Sequence, residues 1–221
     1  MSLLFLDIET YVSKENEKTG LNPYMEGSKV ITIAYNYYEK FTIKEIDVIK
    51  PLILKEWDFN SNGEETILRS FYDNLKNKIK TDRYVDKKGR NRCNITIIGF
   101  NHLEFDLPYL LGRLCFYKID SPENIYENLF LEPMHTDLMQ LTQLISTKSL
   151  EYEKLIPMNH KLACEHFKIK VKDGEGKDLS RFYDAKDYEL ILKYIDQEFS
   201  FEKMYFAFID YIKNKNISKN K

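Results

Sequence analysis

Asp7 and Glu9 stand two residues apart at the end of a short apolar run, Leu3 to Leu6. In an extended strand alternate side chains share a face, so both carboxylates point to the same side. Hard divalent ions such as Mg²⁺ or Mn²⁺ take oxygen ligands, and two acids aimed at one point begin such a site. An Asp-x-Glu pair alone also fits solvated acids after a strand. The chemistry that would use it is phosphodiester hydrolysis. That reaction needs a hydroxide nucleophile at neutral pH and charge stabilisation on the leaving oxygen, and two ions about 3.5–4 Å apart supply both. A two-ion site requires acids from more than one element, so a third and a fourth are expected.

Asp106 is the natural third. Gly99 to Asp106 reads as a strand end running into a helix start, which places this acid at a strand-to-helix junction. Considered alone, the same position suits a carboxylate that only caps the helix or favours its first turn.

These segments resemble the DEDD superfamily of 3′–5′ exonucleases, most of all the proofreading domain of family B DNA polymerases and its stand-alone relatives. Asp7-Ile8-Glu9-Thr10 matches the first motif of that family. Asn101 through Phe105 and Asp106, followed by Leu107, Pro108 and Tyr109, matches the second, an Asn-x₃-Phe-Asp pattern. The two occur in the family's order, about one hundred residues apart, and in combination are far more specific than either alone. The resemblance implies an α/β chain of RNase H-like fold, a mixed central sheet flanked by helices. It implies two Mg²⁺ or Mn²⁺ ions, Asp7 bridging them, Glu9 binding one and positioning the terminal nucleotide, and Asp106 contributing a further ligand. Thr10, Asn101 and Phe105 fall where the family contacts its substrate strand.

The family's third motif is Tyr-x₃-Asp on a late helix, its acid a metal ligand and its tyrosine hydroxyl an orienter of the attacking water. Residues four apart share a helix face. Tyr194 to Glu198 is the best match, with Glu in place of Asp. Asp196 is the nearest aspartate, but two helical residues turn about 200°, so it points away from the tyrosine's face and would put Leu192 in the tyrosine's place. Tyr183 and Asp187 match the spacing strictly, at a helix start where Asp187 suits a cap. The order of preference is Glu198, Asp196, Asp187. Tyr194 is also compatible with an ordinary amphipathic core position among Leu190, Ile191, Met204, Tyr205 and Phe208. Asp137, in His135-Thr136-Asp137-Leu138, has a supporting place near the site. Lys161 is a candidate phosphate contact or a solvated helix residue.

The surrounding pattern supplies elements to hold these residues. Leu3 to Asp7, Val30 to Tyr35 and Phe41 to Ile49 read as strands, the first central, and Tyr11 to Ser28 as a polar loop at the rim. Glu64 to Lys80 is apolar at helical spacing, with Ser61 or Asn62 as cap. Arg83 to Arg92 is an exposed turn or hairpin, and Ile95 to Phe100 a buried strand leading to a helix over Asp106 to Phe116. His135 to Leu138 is a short strand, Asn159 to Phe167 a short helix, Asp173 to Lys177 a turn, and Ala185 to Ile212 one long helix. One exonuclease-like domain over 1–212 is expected, then a basic flexible tail over 213–221.

The composition fits a folded globular protein: 221 residues, 43% hydrophobic and 31% charged. No apolar run approaches the ~18 residues of a membrane span, and a cytoplasmic protein is expected. Cys93, Cys115 and Cys164 lack metal-site spacing and suit reduced, buried thiols. His102, His135, His160 and His166 are scattered, without the helical i, i+4 pair of a metal site. The net charge of −2 does not itself announce a nucleic-acid partner, so local clusters matter: Lys87, Lys88, Arg90 and Arg92 form one, either a solvated tip or a DNA contact. The family resemblance implies hydrolysis of DNA from 3′ ends, single-stranded ones expected, alone or with a separate repair or replication partner. RNA trimming, and a catalytically weakened nucleic-acid-binding module, are the alternatives.

Overall fold

A computed structural model describes residues 1–14, 22–39, 50–146, 154–171, 176 and 178–219, with side chains of the last helix described through residue 214. The expected strand over 41–49 lies outside the described residues, as does the turn over 173–177 except Gly176.

Strands β1 (Ser2–Val12), β2 (Ser28–Tyr38), β3 (Leu52–Lys55), β6 (Ile95–Gly99) and β7 (Met134–Asp137) form one five-stranded sheet in the order β3-β2-β1-β6-β7. Pairing is antiparallel from β3 to β2 to β1 and parallel from β1 to β6 to β7. This is the mixed central sheet of an RNase H-like α/β fold, with β1 in the middle. Strands β4 (Arg83–Val85) and β5 (Asn91–Cys93) pair separately as the expected hairpin, and Gly89 supplies its positive φ of 73°. The strand at Leu52–Lys55 carries no alternating pattern and was not expected.

Helix α1 (Gly63–Thr81) and helix α2 (Asp106–Phe116) cover one face of the sheet. Ile67, Leu68 and Phe71 of α1 and Leu107 and Leu110 of α2 pack there against Leu4, Leu6 and Ile8. The other face carries Leu3 and Phe5 and is covered by later helices. They include α5 (His160–His166), α7 (Tyr188–Glu198) and α8 (Phe201–Lys219). Shorter helices α3 (Pro122–Tyr126), continuing as a π-turn over Glu127–Leu131, α4 (Leu138–Thr142) and α6 (Asp178–Asp184) fill the connections. Burial on both faces explains why Leu3 to Leu6 is an unbroken apolar run rather than an alternating one.

Three expectations change. β1 extends to Val12, so Tyr11 and Val12 belong to the sheet and not to the polar loop. The single helix over 185–212 is two helices, broken at Phe199 and Ser200. In a continuous helix Phe199 and Phe201 would lie about 200° apart; the break buries both, with ring centroids 4.9 Å apart. Finally, α8 runs to Lys219, into the segment expected as a tail. No helix among the described residues is long and apolar enough to cross a membrane.

A buried ion pair ties the frame together. Glu64 and Arg113, 5% and 4% exposed at their side chains, meet at 2.6 Å. The same carboxylate accepts the Val30 backbone N–H at 2.7 Å and the Tyr117 hydroxyl at 2.8 Å. One acid thereby joins α1, α2 and β2.

Candidate functional site

The face of β1 that presents Leu3 and Phe5 to the core presents Asp7 and Glu9 further along, since side chains two apart share a side. A register shift lies between Glu9, opposite Thr32, and Thr10, opposite Val30. Such bulges bend a strand and re-aim its side chains, and they concentrate beside active sites. The row thus passes from the core into an open cleft of about 940 Å³.

Glu198 meets the two acids from α7. One carboxylate oxygen each of Asp7, Glu9 and Glu198 lies within 4.8 Å of the others. Glu198 is the final residue of α7, where the helix dipole disfavours a negative charge. That placement runs against local electrostatics and has no capping rationale. The Glu at this position, one methylene longer than the expected Asp, nevertheless reaches the acid pair.

Asp106 lines the same cleft but stands outside that trio. Its Oδ1 accepts the backbone N–H of Ile8 at 2.9 Å. The backbone N–H groups of even-numbered β1 residues face β6, as the Ser2 bond to Asn94 shows, and β6 ends at Gly99. Asp106 therefore takes up a donor that the shorter neighbouring strand cannot reach. The helix start is not capped by a side chain, so the capping reading of Asp106 gives way to this long-range bond. Burial, together with the negative charges of Glu198 and Asp137, pushes the Asp106 carboxyl up to about 7.

Tyr194 is buried, 5% exposed, and also lines the cleft. Burial and the charges of Glu198 and Glu9 drive its hydroxyl well above the ordinary tyrosine value, and the hydroxyl bonds to Glu198. It stays protonated, as the donor in that bond. Asp196 is exposed on the opposite side of α7 and lines a different cleft. Asp187 caps α7, its side chain accepting from Leu190 N, and the Tyr183 hydroxyl bonds Glu56 and Lys29.

Thr10, Asn101 and Phe105 line the acidic cleft; Lys161 is exposed and does not. Asn101 holds a positive φ of 64°, which Asn tolerates better than most residues. Its N–H donates to Asp137 Oδ1 at 3.0 Å, and that of Leu103 to Oδ2 at 3.2 Å. Burial alone would raise the Asp137 carboxyl, but the adjacent His102, 3.5 Å away, and bonds from Leu103 and Asn101 hold it below the usual carboxylate range. Asp137 also caps α4 through Met139 and Gln140. It orders the second motif from behind. Gly99 permits the tight turn there, since a Cβ would meet His102 Cβ at 2.6 Å.

Several features had no readable signal in the sequence. Helix α6 supplies Asp178, Ser180 and Arg181 to the cleft wall, and Lys14 joins them. Both cations are paired at the rim, Lys14 with Asp184 at 3.7 Å and Arg181 with Asp178 at 3.2 Å. The histidines that look scattered in sequence are not all so in space: His102 Nε2 and His135 Nδ1 are 3.4 Å apart, behind Asn101. Burial and the neighbouring His102 lower His135 to about 4.

The donor set fits a hard divalent ion: three carboxylates from two elements, with ligand atoms close enough to share one ion of oxygen-ligand type.

No protein-family model matches the chain, and no curated protein is found similar to it. Among solved structures, the family B DNA polymerase from the hyperthermophilic archaeon Pyrobaculum calidifontis aligns at TM-score 0.55 and 17% identity, over 90% of this chain and 23% of the polymerase. Escherichia coli Exonuclease I in complex with a dA16 oligonucleotide aligns at TM-score 0.37 and 12% identity, over 64% of this chain and 28% of that one. The chain spans about a quarter of each. At this distance the polymerase likeness shows the fold alone, and the second is too remote to carry an argument.

Proposed function

We propose that the chain is a DEDD-type, metal-dependent 3′–5′ exonuclease acting on single-stranded 3′ ends of DNA and releasing nucleoside 5′-monophosphates. The observation that carries this reading is the convergence of Asp7, Glu9 and Glu198 within 4.8 Å, in a cleft that Asp106 and Tyr194 also line. The motif order in the sequence and the polymerase-like fold support it.

Asp7, Glu9 and Glu198, with Asp106, would hold two Mg²⁺ or Mn²⁺ ions, which when bound supply a hydroxide-level nucleophile and neutralise the leaving oxygen. The protein's own groups do the positioning. Tyr194 donates to Glu198 and fixes that carboxylate. Phe105 and Phe100 offer aromatic surface in the cleft on which an unpaired base stacks. Asn101 Oδ1 is buried without a partner among the described residues, an acceptor for a donor on the terminal nucleotide.

Incubating the purified protein and Mn²⁺ with a 5′-labelled single-stranded DNA is the direct test. A ladder shortening from the 3′ end, lost in Asp7→Ala, is expected. Binding without degradation in both proteins would mean a binding module instead. Preference for an RNA strand of the same sequence would redirect the substrate to RNA.

A further inference from the structure

On the far side of α7 lies a second cleft, of about 540 Å³, that shares no lining residue with the acidic one. Lys50 before β3, Lys168 and Lys170 after α5, Lys193 on α7 and Lys203 on α8 all line it, with Asp196 the one acid among the described residues of its wall. All five lysines are exposed, and none has a salt bridge among the described residues. In a chain of net charge −2, four separate segments bring five like charges together. Such crowding works against the folded state through self-repulsion and attracts a polyanion. The lysines are dispersed in sequence, so no charge run announces them.

We propose that this lysine cleft is a second, sequence-independent binding surface for the phosphodiester backbone of a nucleic-acid strand whose 3′ end occupies the acidic cleft. The inference rests on the nuclease reading of that cleft. The chemistry favours a strand over a small anionic metabolite. Lysines are flexible point charges, whereas a dedicated site for one phosphate group uses a rigid arginine fork or a cradle of backbone N–H groups. Point charges spread along a groove match a repeating anion without reading its bases. Geometry agrees, because α7 contributes to the walls of both clefts: Tyr194 and Glu198 line one, Lys193 and Gln197 the other. A helix is about 10–12 Å across, so a strand must be long enough to pass around α7 before it reaches both clefts. A trinucleotide with its 3′ end in the acidic cleft is the short probe, and a 24-mer the long one.

The test compares wild type with the triple variant Lys168→Gln, Lys170→Gln, Lys193→Gln, all exposed positions whose replacement leaves the melting temperature unchanged. Affinities for a fluorescein-labelled trinucleotide and a 24-mer are read by anisotropy in chelator across a salt series, and hydrolysis of both in Mn²⁺. We expect the 24-mer to bind at least about tenfold more weakly and its salt slope to fall by about 2, at roughly 0.7 per lost contact on a single strand. Trinucleotide binding and hydrolysis stay the same. An unchanged 24-mer affinity and slope overturns the proposal. So does poly-glutamate that binds wild type, not the variant, while 24-mer binding is unaffected, since the surface then serves an acidic protein. Should wild type hydrolyse neither oligonucleotide while the variant still loses 24-mer affinity, the nuclease reading fails and the binding surface stands.

Discussion

Asp106 Oδ1 accepts the backbone N–H of Ile8 at 2.9 Å across 98 residues of sequence, so the second acidic motif is fastened to the first by its own carboxylate. Structure and chemistry at this residue are separable. Asp106→Ala leaves a buried N–H without an acceptor and is expected to cost about 1–3 kcal/mol. Asp106→Asn keeps an oxygen for Ile8 and should melt near wild type. Both variants lose Mn²⁺-dependent hydrolysis, by about 100-fold or more if Asp106 is a ligand. Near-normal hydrolysis by Asp106→Asn would remove this acid from the chemistry and leave it a structural role.

The choice among late acids is equally open to measurement. Glu198→Gln should abolish most hydrolysis, a loss of about 100-fold or more, because it neutralises one of three converging carboxylates. Asp196→Asn, altering an exposed residue of the other cleft, should leave the trinucleotide rate within about twofold of wild type. Tyr194→Phe removes the donor that fixes Glu198 and should fall between, at about 10-fold, the low end of the cost of losing a group that orients a metal-binding side chain. A reversed ranking of Glu198 and Asp196 would mean that α7 is rotated in the active protein.

The parts of the site that were legible in the sequence are those on single elements. Asp7 and Glu9 follow from strand alternation, and Glu198 over Asp196 follows from helical rotation, because both are local periodicities. Asp106 was visible as an acid at a junction, yet its bond to Ile8 was not, since it depends on β6 ending at Gly99. The helix break at Phe199 was hidden by an apolar pattern that continues through it. The Glu64–Arg113 pair and the lysine cleft join residues with no sequence proximity, and β3 is too short and too irregular to signal a strand.

Glu64 and Arg113 give a prediction independent of function. Removing either partner strands a buried charge, and Arg113→Ala or Glu64→Ala should destabilise by about 3–5 kcal/mol in denaturant unfolding. Replacing both, as Glu64→Leu with Arg113→Met, should recover part of that loss, because no charge is then left unpaired. A double variant that loses the sum of the single effects would show that the Val30 and Tyr117 bonds to Glu64, not the ion pair, hold α1 and α2 to β2.

Asp106 also sets the response of the metal-free protein to pH. Its folded value of about 7 lies above the unfolded carboxyl near 3.9. A raised carboxyl contributes stability that is complete below the unfolded value and is lost as pH rises through the folded one. His135 acts in the opposite sense: held down to about 4 by burial and His102, it costs stability as pH falls from about 6.5 towards 4. Comparing wild type with Asp106→Asn at each pH cancels the histidine and isolates the acid. In chelator, the melting temperature of wild type should drop relative to Asp106→Asn between pH 5 and 8, and saturating Mn²⁺ should restore it. The Mn²⁺ gain should be larger at pH 8 than at pH 5.5, where a cation must first displace the Asp106 proton. A metal-induced gain that is the same at both pH values in wild type and variant would show that Asp106 neither carries that proton nor meets the ion.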